Sequence, residues 1–230
     1  MKKVVITALF GVNNSINDLP KVNEKIPGWD YILFTNCKCL NTLNTGWEIK
    51  IVELLYDHPI YSARYYKWLG HKYLNDYDIM LWIDSYLSPN VNFNWNSVLS
   101  EYENNEFKGL FFKKHIKRKC IYQECRACVT AKKATNEMMS RTIKFLNKEK
   151  MPYNYGLYET GIYVRYLKNN ELNLLLENLF SKLLKYSYRD QTILTYILWK
   201  NNYKAVKSLN NIGNEMVNKS GTKGEHIYFK

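Results

Sequence analysis

Apolar runs and amphipathic stretches alternate along the chain, the pattern of a sheet covered by helices. Alternating or continuous apolar positions predict strands over residues 4–10, 31–35, 48–52, 79–83, 109–112, 162–165 and 205–209. Helical spacing predicts helices over 95–102, 122–131, 135–148, 171–185 and 189–200. A further helix follows Pro59, which suits a first helical turn, and Ala63, Tyr66, Gly70, Tyr73 and Leu74 form its apolar face. The fold class expected is α/β, a single Rossmann-like domain over 1–230 with a mixed, mostly parallel sheet flanked by helices. Residues 210–224 are polar and rich in Asn, Lys and Gly, and are expected to form a loop able to order over a ligand.

The sharpest signal is Ile79-Met80-Leu81-Trp82-Ile83, an unbroken apolar run that stops at Asp84-Ser85. Such a run reads as a strand buried on both faces, and open α/β sheets bind ligands beyond the carboxyl ends of their strands. Asp84 therefore stands where a carboxylate can hold a divalent cation against a diphosphate. Ser85 and Pro89 are also turn residues, so a turn-capping Asp84 explains the same pattern equally well.

Three other segments carry candidate chemistry. Arg64, Lys67 and His71 fall at i, i+3 and i+7 beside the apolar face of the helix after Pro59, where Arg64 offers a planar fork for phosphate and Lys67 a point charge. Surface pairing with Glu53 and Asp57 is the plainer account of that stripe. Gly156-Leu157-Tyr158-Glu159-Thr160-Gly161 leads into a strand with a carboxylate at its mouth, and glycine there allows close backbone approach. Tyr186-Ser187-Tyr188-Arg189-Asp190-Gln191 precedes a helix whose dipole favours an ionised Asp190, a group able to act as a general base or simply to begin the helix.

The formal charge of +12, from 33 Lys and Arg against 21 Asp and Glu, favours an anionic partner: nucleic acid, an acidic membrane surface or a phosphorylated small molecule. The densest basic run, Lys113-Lys114-His115-Ile116-Lys117-Arg118-Lys119, reads first as a solvated loop. Five cysteines, including Cys37 and Cys39 and a C-x-x-C pair at Cys125 and Cys128, lack zinc-ribbon spacing and read as free thiols of a reducing compartment. With no signal peptide or spanning helix evident, a cytoplasmic protein is expected, with peripheral contact at an acidic membrane face as an option. A basic nucleic-acid-binding protein is the competing class. It rests on charge and on 20 Tyr and 6 Trp alone, without a recognised nucleic-acid-binding motif, so no specific nucleic-acid partner is expected.

The stretches Ala63-Arg64-Tyr65-Tyr66-Lys67-Trp68, Tyr77-Asp78 through Trp82-Ile83-Asp84-Ser85, Cys120-Ile121-Tyr122-Gln123-Glu124, Gly156 through Gly161, and Arg189-Asp190-Gln191 occur in this order. The ordered set resembles small GT-A type glycosyltransferases found in bacteria, plants and large DNA viruses, over residues 4–209. The resemblance implies a nucleotide-sugar donor, a divalent cation (Mn2+ or Mg2+) and transfer of one sugar to a glycan hydroxyl.

By the same resemblance Asp84 takes the place of the first carboxylate in the Asp-x-Asp motif that ends the central GT-A strand, and Tyr86 replaces the second. Asp76 and Asp78 cannot substitute, since a strand rising about 3.3 Å per residue leaves them at its far edge. The family pattern makes His226 a candidate helper ligand, Asp190 the inverting base and Glu159 its reserve. Phe10, Gly11, Thr35 and Asn36 would line the nucleotide, probed as a uridine diphosphate; Arg64 and Lys67 would neutralise the diphosphate; Ser85 and Gly161 would complete the donor site. Glu124 would touch the acceptor or brace the site. The missing second carboxylate also admits a non-catalytic GT-A module that binds sugar nucleotide or glycan.

Overall fold

The computed structural model describes residues 1–11, 22–38, 40, 45–104, 106–209 and 216–219. Nine strands are present among them: β1 (Lys3–Leu9), β2 (Trp29–Thr35), β3 (Glu48–Ile51), β4 (Ile79–Ile83), β5 (Leu87–Pro89), β6 (Leu110–Lys114), β7 (Tyr158–Tyr166), β8 (Val206–Ser208) and β9 (Val217–Lys219). Six α-helices accompany them: α1 (Pro59–Trp68), α2 (Asn96–Glu103), α3 (Ile121–Thr130), α4 (Asn136–Lys148), α5 (Asn170–Tyr186) and α6 (Gln191–Lys200).

Seven strands form one sheet in the order β3-β2-β1-β4-β7-β6-β8. Only β7 runs against the rest, since β4 and β6 both pair with it antiparallel while the other ladders are parallel. The fold is therefore α/β with a mixed, mostly parallel sheet. β2 lies on one side of β1 and β4 on the other, so the carboxyl ends of β1 and β4 flank the point where strand order reverses. In open α/β sheets that crevice is the ligand position.

The apolar run of β4 is explained by two cores. Met80 and Trp82 join Val4, Ile6, Leu110 and Phe112 under α1, α3, α4, α5 and α6. Ile79, Leu81 and Ile83 join Val5, Val98, Leu99 and Phe111 on the α2 side. All five β4 residues are buried, so no polar residue is tolerated until the strand ends.

Three expectations need correction. The helix after Pro59 stops at Trp68 and gives way to a single 3-10 turn, Gly70–Lys72. The turn brings Gly70 so close to β4 that a Cβ on it would stand 2.7 Å from the Met80 sulfur. The strand expected at 162–165 begins at Tyr158, and the tail expected as a loop includes β9, which pairs antiparallel with β5.

One close approach gives a stability test. A Cβ on Gly109 would lie 2.0 Å from the Ala205 carbonyl oxygen, a backbone atom that the β6–β8 ladder holds in place. Gly109→Ala is expected to lower unfolding stability by about 1–3 kcal/mol through overpacking, measured by urea denaturation.

Candidate active site

Asp84 follows β4 at the strand-order switch point. Its backbone carbonyl accepts from the Leu87 amide at 2.9 Å, closing a turn, while its own amide donates to Gly161 at 2.8 Å. The turn therefore uses the main chain and leaves the carboxylate for the site. Trp82 Nε1 donates to Asp84 Oδ1 at 3.0 Å, as expected for side chains two apart on one strand face. Gly161 leaves room for this carboxylate: a Cβ there would stand 3.2 Å from Asp84 Oδ2.

The helical side of Asp84 is a buried charge cluster. Lys67 Nζ lies 3.5 Å from Asp84 Oδ1 and 2.8 Å from Asp190 Oδ2, and Arg64 Nε lies 3.4 Å from the same Asp190 oxygen. The Lys67–Asp190 contact is an ion pair without the angular geometry of a hydrogen bond. The ammonium also sits 5.2 Å from the Trp82 ring centre and 5.4 Å from that of Trp68. Asp190 Oδ1 accepts from the Thr160 hydroxyl at 2.9 Å and from the Gln191 amide at 3.1 Å. Burial pushes the Asp190 pKa up, but Arg64 and Lys67 overcome it and hold the carboxylate well below its ordinary range. Burial pulls Lys67 down, with Asp190 and Asp84 opposing.

This geometry revises two expected roles. Lys67, expected at the rim as a diphosphate ligand, is turned inward with 1% of its side chain exposed. Asp190, expected as the base, is the N-cap of α6 and equally buried. A carboxylate held ionised by two cations is a weak proton acceptor. His71 leaves the stripe because α1 has ended, and its Nε2 instead lies 3.0 Å from Glu177.

At the mouth of β7 the register against β6 slips, so that Phe112 faces Tyr163 but Lys113 faces Glu159. Such irregularities re-aim side chains. Here Thr160 turns into the cluster, while Glu159 stays 31% exposed with its Oε2 3.0 Å from Lys113 Nζ. Tyr86, in place of a second carboxylate, feels the charges of both Asp84 and Glu159. Burial first and those carboxylates second push its phenol up to about 12, so it stands there as a neutral hydroxyl.

The other expected donor residues are close to the switch point but committed to structure. Phe10 is buried and stacks on Tyr66 at 5.6 Å. The Gly11 amide donates to Asn36 Oδ1 at 3.1 Å, which ties the ends of β1 and β2. Thr35 is buried and its hydroxyl accepts from the Cys37 amide at 3.1 Å, and Ser85 lies half-buried in the turn after Asp84. His226 lies outside the described residues.

Beside Glu159 opens a cavity of about 360 Å³, walled by the basic run and by α3. His115 Nδ1 accepts the amides of Lys117 and Arg118 at 3.1 and 3.0 Å, so this run, solvated at Lys114, Ile116, Lys117 and Lys119, is also a pinned turn. Arg118 Nε meets Glu124 Oε2 at 2.6 Å, which makes Glu124 a brace for that turn. Cys120, Cys125 and Cys128 are buried free thiols, and burial pushes Cys125 up to about 12, as expected of inert residues. Cys37 departs from expectation and is disulfide-bonded.

Sequence reasoning missed the roles of Trp82, Thr160 and Lys133, while Glu124, Glu159 and the basic run of the cavity wall were among its candidates. Trp82 was readable, since alternation puts it on the Asp84 face; the burial depth of Lys67 had no sequence signal.

Among the described residues no three His, Cys, Asp or Glu side chains gather as a metal cage. Asp84 contributes one hard oxygen ligand, Tyr86 a protonated phenol, and Lys67 a positive charge close by. This set fits a cation whose remaining ligands are diphosphate oxygens and water, and not one held by these side chains alone. Among the described residues, no helix is long and apolar enough to cross a membrane.

No curated protein matches the chain by sequence. Among solved structures, apo mouse xyloside xylosyltransferase 1 is similar at 10% identity and a TM-score of 0.48, over 90% of this chain and 84% of that one. Core-mannan synthase A from Aspergillus fumigatus, in a Mn/GDP form, is similar at 11% identity and a TM-score of 0.49, over 86% of this chain and 69% of that one. The profile of the TOD1/MUCI70 glycosyltransferase-like domain matches residues 39–226, which include β4, the cluster and the mouth of β7. The chain belongs to the TOD1/MUCI70 glycosyltransferase-like domain family.

Proposed function

We propose that the chain transfers a sugar from a nucleoside diphosphate donor, a UDP-sugar, to a glycan hydroxyl with inversion at the anomeric carbon. The observation that carries this reading is the Asp84–Lys67–Asp190–Arg64 chain of charges at the strand-order switch point, with the half-buried carboxylate of Glu159 beside it.

The buried pair fixes the site before substrate arrives. Lys67 holds Asp84 against the helical layer, and Asp190 holds both Lys67 and Arg64, so these are positioning residues. Arg64, 15% exposed, and the neutral Tyr86 hydroxyl face the donor diphosphate as hydrogen-bond donors. When bound with the donor, Mn2+ or Mg2+ on Asp84 neutralises diphosphate charge. The acceptor oxygen attacks the anomeric carbon while the bond from that carbon to the diphosphate oxygen breaks. The bonding electrons leave with the nucleoside diphosphate, and the acceptor proton passes to Glu159. His226 is proposed as a further ligand brought by the tail, which β9 ties to β5 just beyond Asp84.

UDP with Mn2+ is expected to raise the melting temperature of the wild type, because a ligand bound only by the folded state stabilises it, by about 2.7 kcal/mol at a hundredfold excess over Kd. Asp84→Asn is expected to lose that response while keeping its fold. Equal UDP and Mn2+ stabilisation of both proteins would refute the assignment of Asp84. Tyr86 in place of a carboxylate favours one second reading, a sugar-nucleotide binder without catalysis. That reading predicts the same stabilisation but no release of UDP from any UDP-sugar in a panel.

A further inference from the structure

Apart from Glu159, the charges that line the cavity beside it are not used by the transfer chemistry. His115, Lys117, Arg118, Glu124, Lys133 and Glu159 line it, together with the Cys128 side of α3, and its volume of about 360 Å³ suits a small ligand. Three of its charges are already answered. Arg118 is paired with Glu124 at 2.6 Å, and Glu159 with Lys113 at 3.0 Å. Lys117 and Lys133 are exposed, and neither has an ion pair among the described residues. The wall is thus left with two uncompensated ammonium groups on opposite supports, one on the pinned turn and one just past α3.

The turn is built to hold its place. His115 Nδ1 receives two backbone amides, which keeps that nitrogen unprotonated, and the His115 amide donates to Leu157 at 2.8 Å. The neighbouring loop is tied to the same run, since the Gly156 amide donates to Lys119 at 2.9 Å. That loop carries two rings open to solvent: Tyr155, 46% exposed, and Tyr153, 63% exposed and stacked on Tyr122 at 4.3 Å.

We propose that this cavity is the acceptor subsite and that it selects a sugar bearing a carboxylate or phosphate group, the anion meeting Lys117 and Lys133 while a hydroxyl faces Glu159. The proposal rests on the glycosyltransferase reading above and adds the class of acceptor. A neutral sugar gains little from two ammonium groups, whereas an anion forms charge-assisted hydrogen bonds with both.

The test is a titration of the full chain with D-glucuronate, glucose 6-phosphate and glucose, followed by amide NMR. Saturable shifts confined to residues 115–118 and the end of α3 are expected with the anionic sugars. A response to glucuronate alone assigns a carboxylate, one to glucose 6-phosphate alone a phosphate, and one to both the shared charge; each supports the proposal. The Lys117→Ala/Lys133→Ala double variant is expected to weaken anionic-sugar binding about tenfold, as two partly exposed charge contacts would. Its stabilisation by UDP with Mn2+ should be unchanged. Equal response to glucose, shifts centred elsewhere, no saturable shift, or undiminished binding by the double variant would each overturn the proposal. Failure of the wild type to respond to UDP would instead remove the transferase reading, while saturable anionic-sugar binding at this cavity would still stand.

Discussion

Lys67→Met is expected to destabilise the fold by about 3–5 kcal/mol, because it removes one partner from a buried ionic network and leaves the others uncompensated. Methionine matches the stem in length and apolarity, so the cost reports the charge and not a cavity. Without the ammonium, the Asp84 and Asp190 carboxylates lose their common cation, and Asp190 keeps Arg64 at 3.4 Å, the charge of Arg189 and its hydrogen bonds from Thr160 and Gln191. Urea denaturation measures the loss, and a double variant decides its origin. Lys67→Met with Asp190→Asn should recover part of the stability, since neutralising the orphaned carboxylate removes the penalty and neighbouring residues couple. A loss of less than about 1 kcal/mol would mean that the ammonium is not what keeps Asp190 ionised. The pH dependence follows in sign. The Asp190 pKa is lower in the folded state than in the unfolded chain, so its contribution is complete above the ordinary carboxylate value of about 3.9 and is lost as pH falls toward the folded value.

The sheet was legible where burial is total and the site was legible where strands end. Residues 79–83 match β4 at both ends because nothing but apolar side chains survives between two cores. The same logic placed Asp84 at the crevice. β7 was only half visible, since Glu159, Thr160 and Gly161 near its start carry the chemistry of the site, which hides a strand behind glycine and polar groups. β5 and β9 are each short, and no composition marks a strand whose partner among the described residues lies far along the chain. Spacing put Arg64 and Lys67 on one helix face correctly, but spacing reports direction and not depth. Which of two basic residues snorkels outward and which is sealed under Trp68 and Trp82 depends on the packing of α1 against the sheet. The basic run at 113–119 is largely solvated, as its composition indicates, and a single histidine accepting two amides fixes it as a wall, which composition does not report. The disulfide at Cys37 had no sequence signal separating it from the three free thiols.

The burial that disqualifies Asp190 as a base is what singles out Glu159. Of the two carboxylates named from sequence, one is sealed among cations and the other stands at the β7 mouth, where an acceptor hydroxyl can reach it. Glu159→Gln is expected to lower kcat for transfer by about 10²–10⁴-fold, the usual contribution of a positioned general base. KM for the UDP-sugar should change little, because glutamine preserves shape and the donor contacts proposed above are on Asp84, Arg64 and Tyr86. Transfer is measured with whichever UDP-sugar of a panel the wild type hydrolyses. Asp190→Asn provides the contrast. It is expected to lower stability as well as rate, since it disturbs the anchor of Lys67 and Arg64, whereas Glu159→Gln should leave the urea midpoint near that of the wild type. The contact that Glu159 loses, with Lys113, is partly open to solvent and contributes about 1 kcal/mol at most. A Glu159→Gln protein that transfers at the wild-type rate would remove the base from β7. The inverting mechanism proposed above, which takes Glu159 as its base, would go with it.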